Sequence, residues 1–228
     1  MTGSESHHLT LYHPAFAGVV QAEALEVPDD PDLQVQATIE LMSRYASEDA
    51  CSPEVRELAS RITAGAREQS EKAARIWDYV RHSVYFAHDE VLANPLLPLV
   101  SSRTPIVEIL IRPRDLISMC SSGACRRMAD CDDYSMLVAS LLLACGIRAA
   151  FVTVAADPQD LTRFSHVYVA AYTDSGDRIP LDASHGKYPG WEVRNVGRRR
   201  EWPLDGGSSW AAWALFTLAT GVTLWVFR

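Results

Sequence analysis

Ala129-Asp-Cys-Asp-Asp-Tyr-Ser-Met-Leu-Val-Ala-Ser-Leu-Leu-Leu-Ala-Cys-Gly-Ile147 is the stretch whose reading decides the fold. Tyr134, Leu137, Val138, Leu141, Leu142 and Cys145 recur at helical spacing and predict one buried helical face. Gly146 stands where a helix C-terminus needs a residue tolerant of the left-handed conformation. Cys131 falls at the predicted helix start. Unpaired backbone N–H groups and the positive end of the helix dipole stabilise a thiolate at that position. Asp130, Asp132 and Asp133 act against it by like-charge repulsion.

Downstream, Ile147 to Ala155 is rich in β-formers, and Phe164 to Tyr172 and Arg178 to Asp182 read as two strands joined by a turn at Gly176. A helix followed by a strand meander indicates an α+β fold. Under period-2 alternation His166 shares a face with Phe164, Tyr168 and Tyr172, while Asp182 closes the neighbouring strand. A turn centred at Asp174 places His166 opposite Asp182. Singly, such residues have ordinary explanations, since a free cysteine is often a small buried hydrophobe and a strand histidine a hydrogen-bonding group. Together, a thiol at a helix start, an imidazole and a carboxylate supply a nucleophile, its base and the group that orients the base.

Upstream, helices are expected from Asp32 to about Glu48, from Ser52-Pro53 through Ile62, and from Glu68 to His82. Val84 to Ala87 reads as a short strand and Gly18 to Val27 as a β element. Asn94 to Pro113 is loop-rich with an ordered piece at Ile106 to Ile111, and Arg114 to Met119 is helical.

The order of these blocks resembles the transglutaminase-like superfamily in its bacterial and phage branch. The resemblance rests on Ala129 to Ser135, Cys145-Gly-Ile147, Phe164-Ser-His-Val-Tyr-Val169 and Pro180-Leu-Asp-Ala183, and covers roughly Trp77 to Trp191. It implies a papain-like core, with the cysteine helix packed on an antiparallel sheet and a helical N-terminal region ahead of it. It also implies Cys131 as nucleophile, His166 as base and acid, and Asp182 as the orienting residue. The chemistry implied is cleavage or transfer at an amide of a peptide or protein through an acyl-thioester. A catalytically silent binding or assembly module on the same fold is the alternative. Ala129 stands where the family often has glycine, and Asp132 where animal transglutaminases have tryptophan, so calcium-activated cross-linking does not carry over. Tyr168, His185 and Trp191 are the expected substrate-binding residues, the last two in a Gly- and aromatic-rich loop. The corresponding division of the chain is a helical lead-in over 1–67, a catalytic core over 68–207 and a hydrophobic segment over 208–228.

The remaining features narrow the function class. The chain of 228 residues carries 21 basic and 29 acidic side chains, a net charge of -8, which argues against a nucleic-acid partner held by phosphate neutralisation. Five cysteines are too few for a disulfide framework and odd in number, consistent with a reducing compartment. Cys120, Cys125 and Cys131, with His166 or His185 as a fourth ligand, match no usual zinc spacing, so neither metal nor cofactor is expected. His82 and His88 read as structural. From Ser208 to Phe227 twenty residues carry no charge, with tryptophans near both ends and Arg198 to Arg200 upstream, which predicts a C-terminal membrane anchor on a cytoplasmic body.

Overall fold

The computed structural model describes residues 7–13, 18–25, 30–89, 106–119, 127–194, 196–204 and 222–227. Three helices open the α-helical layer: α1 (Pro31–Asp49), α2 (Pro53–Ile62) and α3 (Gln69–Ser83). The Asp30 carboxylate accepts the N–H groups of Asp32 and Leu33, and the Ser52 hydroxyl oxygen accepts that of Val55. These caps satisfy donors that the first turn of a helix leaves unpaired. The short helix α4 (Pro113–Ser118) follows, and α5 (Cys131–Ala144) is the central element.

Helix α5 is buried on every side from Asp133 to Leu142, more than the single stripe predicted from its apolar spacing. It packs against α1, α2, α3 and α4 and also against the sheet, so its small residues are as enclosed as its leucines. The Ser140 hydroxyl reaches the Ala46 carbonyl of α1 at 3.0 Å, which satisfies a polar group inside that layer. Gly146 has φ +71°, the left-handed conformation expected of the residue that ends this helix.

Beneath α5 lies an antiparallel sheet in the order β8-β7-β6-β9, formed by β6 (Arg148–Val154), β7 (His166–Tyr172), β8 (Arg178–Leu181) and β9 (Arg199–Leu204). Leu181 pairs with Val169 and Pro180 with Ala170. The β7–β8 register is therefore centred on Ser175, not Asp174, and Asp182 falls diagonally across from His166 and not directly opposite it. The turn causes this shift: Thr173 and Asp177 close it through the Asp177 N–H to the Thr173 hydroxyl and the Thr173 N–H to the Asp177 carbonyl.

Three further pairings are non-local. Strands β3 (Tyr85–Phe86) and β5 (Met128–Ala129) run parallel just before the Cys131 turn. A third sheet, in the order β1-β2-β10-β4, joins β1 (His7–His13), β2 (Gly18–Leu25), β10 (Val222–Phe227) and β4 (Ile106–Ile111). Strand β10 pairs in parallel with β2 and antiparallel with β4.

The expected membrane anchor over 208–228 is corrected accordingly. Its last residues are a strand whose backbone groups are taken by two neighbours, and residues 208–221 lie outside the described residues. Among the described residues no helix is long and apolar enough to cross a membrane. Arg198 to Arg200 also have partners within the fold: Arg198 pairs with Asp32 at 2.9 Å, Arg199 with Glu192 at 3.5 Å, and Arg200 stacks over the Trp202 ring.

Candidate active site

The site is assembled by the start of α5, the start of β7 and the loop after β8. Asp130 caps α5 by accepting the Asp132 N–H at 3.0 Å, which sets Cys131 in the first turn. The Ser135 hydroxyl contacts both the Cys131 carbonyl, at 2.7 Å, and the Val167 carbonyl, at 3.2 Å. One side chain thus ties the cysteine turn to the strand that carries His166. Cys131 is a thiol and not a disulfide, and its Sγ donates toward Asp132 Oδ1 at 3.4 Å.

His166 Nε2 lies 2.9 Å from Asp182 Oδ2. Burial pushes the Asp182 carboxyl up, but the His166 ring, the His185 N–H and the Ser184 hydroxyl together outweigh it and hold the group below its ordinary value. An ionised carboxylate can only accept, so Nε2 carries the ring proton and the neutral imidazole presents its lone pair at Nδ1. Asp182 is 1% exposed, and solvent does not compete for this bond.

The loop that delivers Asp182 is held from behind. Trp77 Nε1–H of α3 donates to the Asp182 carbonyl at 2.8 Å, and Arg81 Nη1 donates to the Ser184 carbonyl at 2.5 Å. The Gly186 N–H returns to the same Asp182 carbonyl at 2.9 Å. A Cβ at Gly186 would stand 2.2 Å from that oxygen, so the turn closes only around glycine.

Helix α5 is also fixed from its other side. Asp133 Oδ1 accepts the Ile111 N–H at 2.6 Å, and Asp89 Oδ2 accepts the Ile109 N–H at 2.6 Å. Alternate N–H groups of a strand face the same edge. Two carboxyl groups therefore take the place of a further strand along the outer edge of β4. Burial, with repulsion from Asp132, Asp89 and Asp133, pushes Asp130 well above the usual carboxylate range. Burial, with repulsion from Asp89 and Asp132, does the same to Asp133 against the opposing pull of the Ile111 N–H. Both shifts work against a full negative charge beside Cys131.

Cys131, His166, His185 and Trp191 line one cleft of about 730 Å³. Tyr168 is placed elsewhere: its ring is buried in the sheet and its hydroxyl donates to Glu192 at 2.7 Å, a core role in place of a cleft wall. The opposite wall comes from α1, through Gln34, Val35 and Thr38, which sequence reasoning did not connect to the site. Phe86 of β3 also lines the cleft, with its ring edge-on to His185 at 4.9 Å between centroids. An exposed aromatic beside a histidine-flanked strand was the available signal. Cys120 and Cys125 lie outside the described residues.

No family model matches the chain, and no curated protein does. Solved structures similar to it include a candidate protease from Parabacteroides distasonis, at 12% identity and TM-score 0.44, with 86% of this chain and 41% of that chain covered. A candidate cysteine protease from Cytophaga hutchinsonii is similar at 18% identity and TM-score 0.41, over 80% of this chain and 62% of that chain. Red sea bream transglutaminase is similar at 11% identity and TM-score 0.32, over 78% of this chain and 30% of that chain. This chain thus spans less than two thirds of the length of each. By their names, these similar structures are a candidate protease, a candidate cysteine protease and a transglutaminase.

Proposed function

We propose that this protein is a thiol enzyme of transglutaminase-like type that cleaves or transfers at an amide bond of a peptide or protein. The observation that carries the reading is the His166–Asp182 hydrogen bond, which leaves the Nδ1 lone pair of an oriented imidazole in the same cleft as a helix-start thiol. His166 Nδ1 takes the Cys131 proton, and the sulfur attacks the amide carbonyl. Backbone N–H groups at the start of α5 stabilise the oxyanion. His166 then returns the proton to the departing amine, leaving an acyl-thioester. Water releases an acid from that thioester, and an amine releases a new amide. Both outcomes use the same residues, with His166 as the base for the acceptor.

Mass spectrometry of glutamine-containing peptides, incubated with and without a primary alkylamine, tests this. Chain cleavage or deamidation indicates hydrolysis, and an amine adduct at glutamine indicates transfer. Products that persist in Cys131→Ala remove the proposal.

A further inference from the structure

His185 is prepared for more than lining a wall. The Ser184 hydroxyl donates its one proton to Asp182 Oδ1 at 3.0 Å. Its contact with His185 Nδ1, also 3.0 Å, must then run the other way, with Nδ1–H donating to the serine oxygen. That bond fixes the tautomer and leaves the lone pair of His185 on Nε2. An imidazole whose far N–H is engaged by a second group is the form in which histidine binds metals.

A second imidazole and a carboxylate are beside the His185 ring. The rings of His166 and His185 stand 4.9 Å apart at 80° to each other. One ligand atom from each of His166, Asp182 and His185 can be taken so that all lie within 4.8 Å of one another. In a tetrahedral site with bonds near ~2.1 Å, neighbouring ligands sit about 3.4 Å apart. The 2.9 Å separation of His166 Nε2 and Asp182 Oδ2 needs to open by about half an ångström to admit an ion.

We propose that His166, Asp182 and His185 form a binding site for a zinc-like divalent ion that switches the enzyme off. This rests on the reading of His166 as the base of Cys131. The ion takes the place of the proton on His166 Nε2, which moves to Nδ1. There it occupies the lone pair that would accept the thiol proton, and the thiol stays neutral. No bond is broken beyond that N–H, and removing the ion restores the original tautomer. Two imidazoles and one carboxylate favour zinc over calcium or magnesium, which take oxygen ligands.

Calorimetric titration of Zn²⁺ into the full chain carrying Cys131→Ala tests the site without the thiol, which belongs to a separate Asp130–Cys131–Asp132 group of potential ligands. Added His185→Ala or His185→Gln is expected to weaken binding by about tenfold or more, whereas His82→Ala, at an exposed helix position, leaves it unchanged. Circular dichroism verifies folding, and the glutamine variant decides the matter if the alanine variant unfolds. A smaller loss in a folded His185 variant, or no Zn²⁺ uptake by Cys131→Ala, overturns the proposal. Because Cys131 is absent throughout, this failure is distinguishable from failure of the thiol to act as a nucleophile.

Discussion

Replacing Gly186 with alanine is expected to disable the site from outside the triad. The new Cβ would stand 2.2 Å from the Asp182 carbonyl oxygen, where ordinary contact begins near 3.4 Å, so the two segments must part by about 1.2 Å. That oxygen is held by both Gly186 N–H and Trp77 Nε1–H. Losing them costs roughly 2–4 kcal/mol, since each is a net gain of about 1 kcal/mol and a buried acceptor is left short. For a chain of this size the melting temperature should fall by about 5–15 °C. A misplacement of ~1 Å in a catalytic group is worth up to about 10²-fold in rate.

The assay is the rate of Cys131 alkylation by iodoacetamide at pH 6, followed by peptide mass spectrometry. An ordinary thiol of pKa ~8.5 is only about 0.3% ionised there, so loss of an oriented base has a wide range in which to appear. Gly190→Ala is the control. Gly190 has φ +95° but nothing within 4 Å of a Cβ, so it incurs backbone strain of roughly 1–2 kcal/mol without displacing Asp182. Wild-type melting and alkylation in Gly186→Ala would refute the claim that this turn sets the His166–Asp182 geometry.

Three further outcomes follow from the same contacts. Asp182 is held below its ordinary value, so its contribution to stability is complete above about pH 4 and is lost as pH falls through the lowered folded value. Asp182→Asn should therefore cost about 1.5–3 kcal/mol at neutral pH and flatten the acid limb of a melting-temperature profile; an unchanged limb would contradict the assignment. Asp133 is shifted the opposite way, so wild-type stability should decline as pH climbs from about 4 through its raised folded value. Asp133→Asn keeps an acceptor for Ile111 N–H and should gain about 1–2 kcal/mol at pH 7 but little at pH 4, a pH-dependent gain that thermal melts would detect. Deleting residues 222–228 strips β4 and β2 of the strand between them and should lower the melting temperature by several degrees, whereas an unchanged value would show that β10 contributes nothing to the fold.

How far the sequence could be read depended on how local each signal was. Cys131, the apolar spacing of α5 and Gly146 lie within sixteen consecutive residues, and the helix runs from Cys131 to Ala144 as their chemistry requires. Strands β7 and β8 were legible because a hairpin joins neighbours. Their register was displaced by the Thr173–Asp177 turn bonds, which alternation alone does not encode. The C-terminal strand was not legible. Its partners, Ala22 to Leu25 and Ile106 to Ile111, are far away in sequence, and an uncharged run without visible partners satisfies the length criterion for a membrane span. Asp133 was read as a charge near the thiol; only the approach of β4 makes it a buried acceptor. His185 was placed in a cleft-lining loop, but its tautomer depends on Ser184 and Asp182 meeting in space.

The measurement that tests the central claim most directly compares cysteines within the one chain. Iodoacetamide labelling at pH 6, with each modified cysteine assigned by fragmentation, sets Cys131 against Cys51, which is exposed, and Cys145, whose thiol burial pushes up. The account predicts that Cys131, half-buried as it is, reacts first, and that His166→Ala reduces its rate to that of an ordinary thiol or below. If Cys51 reacts faster than Cys131, or if His166→Ala leaves the Cys131 rate unchanged, the imidazole is not the base of this thiol and the account is contradicted.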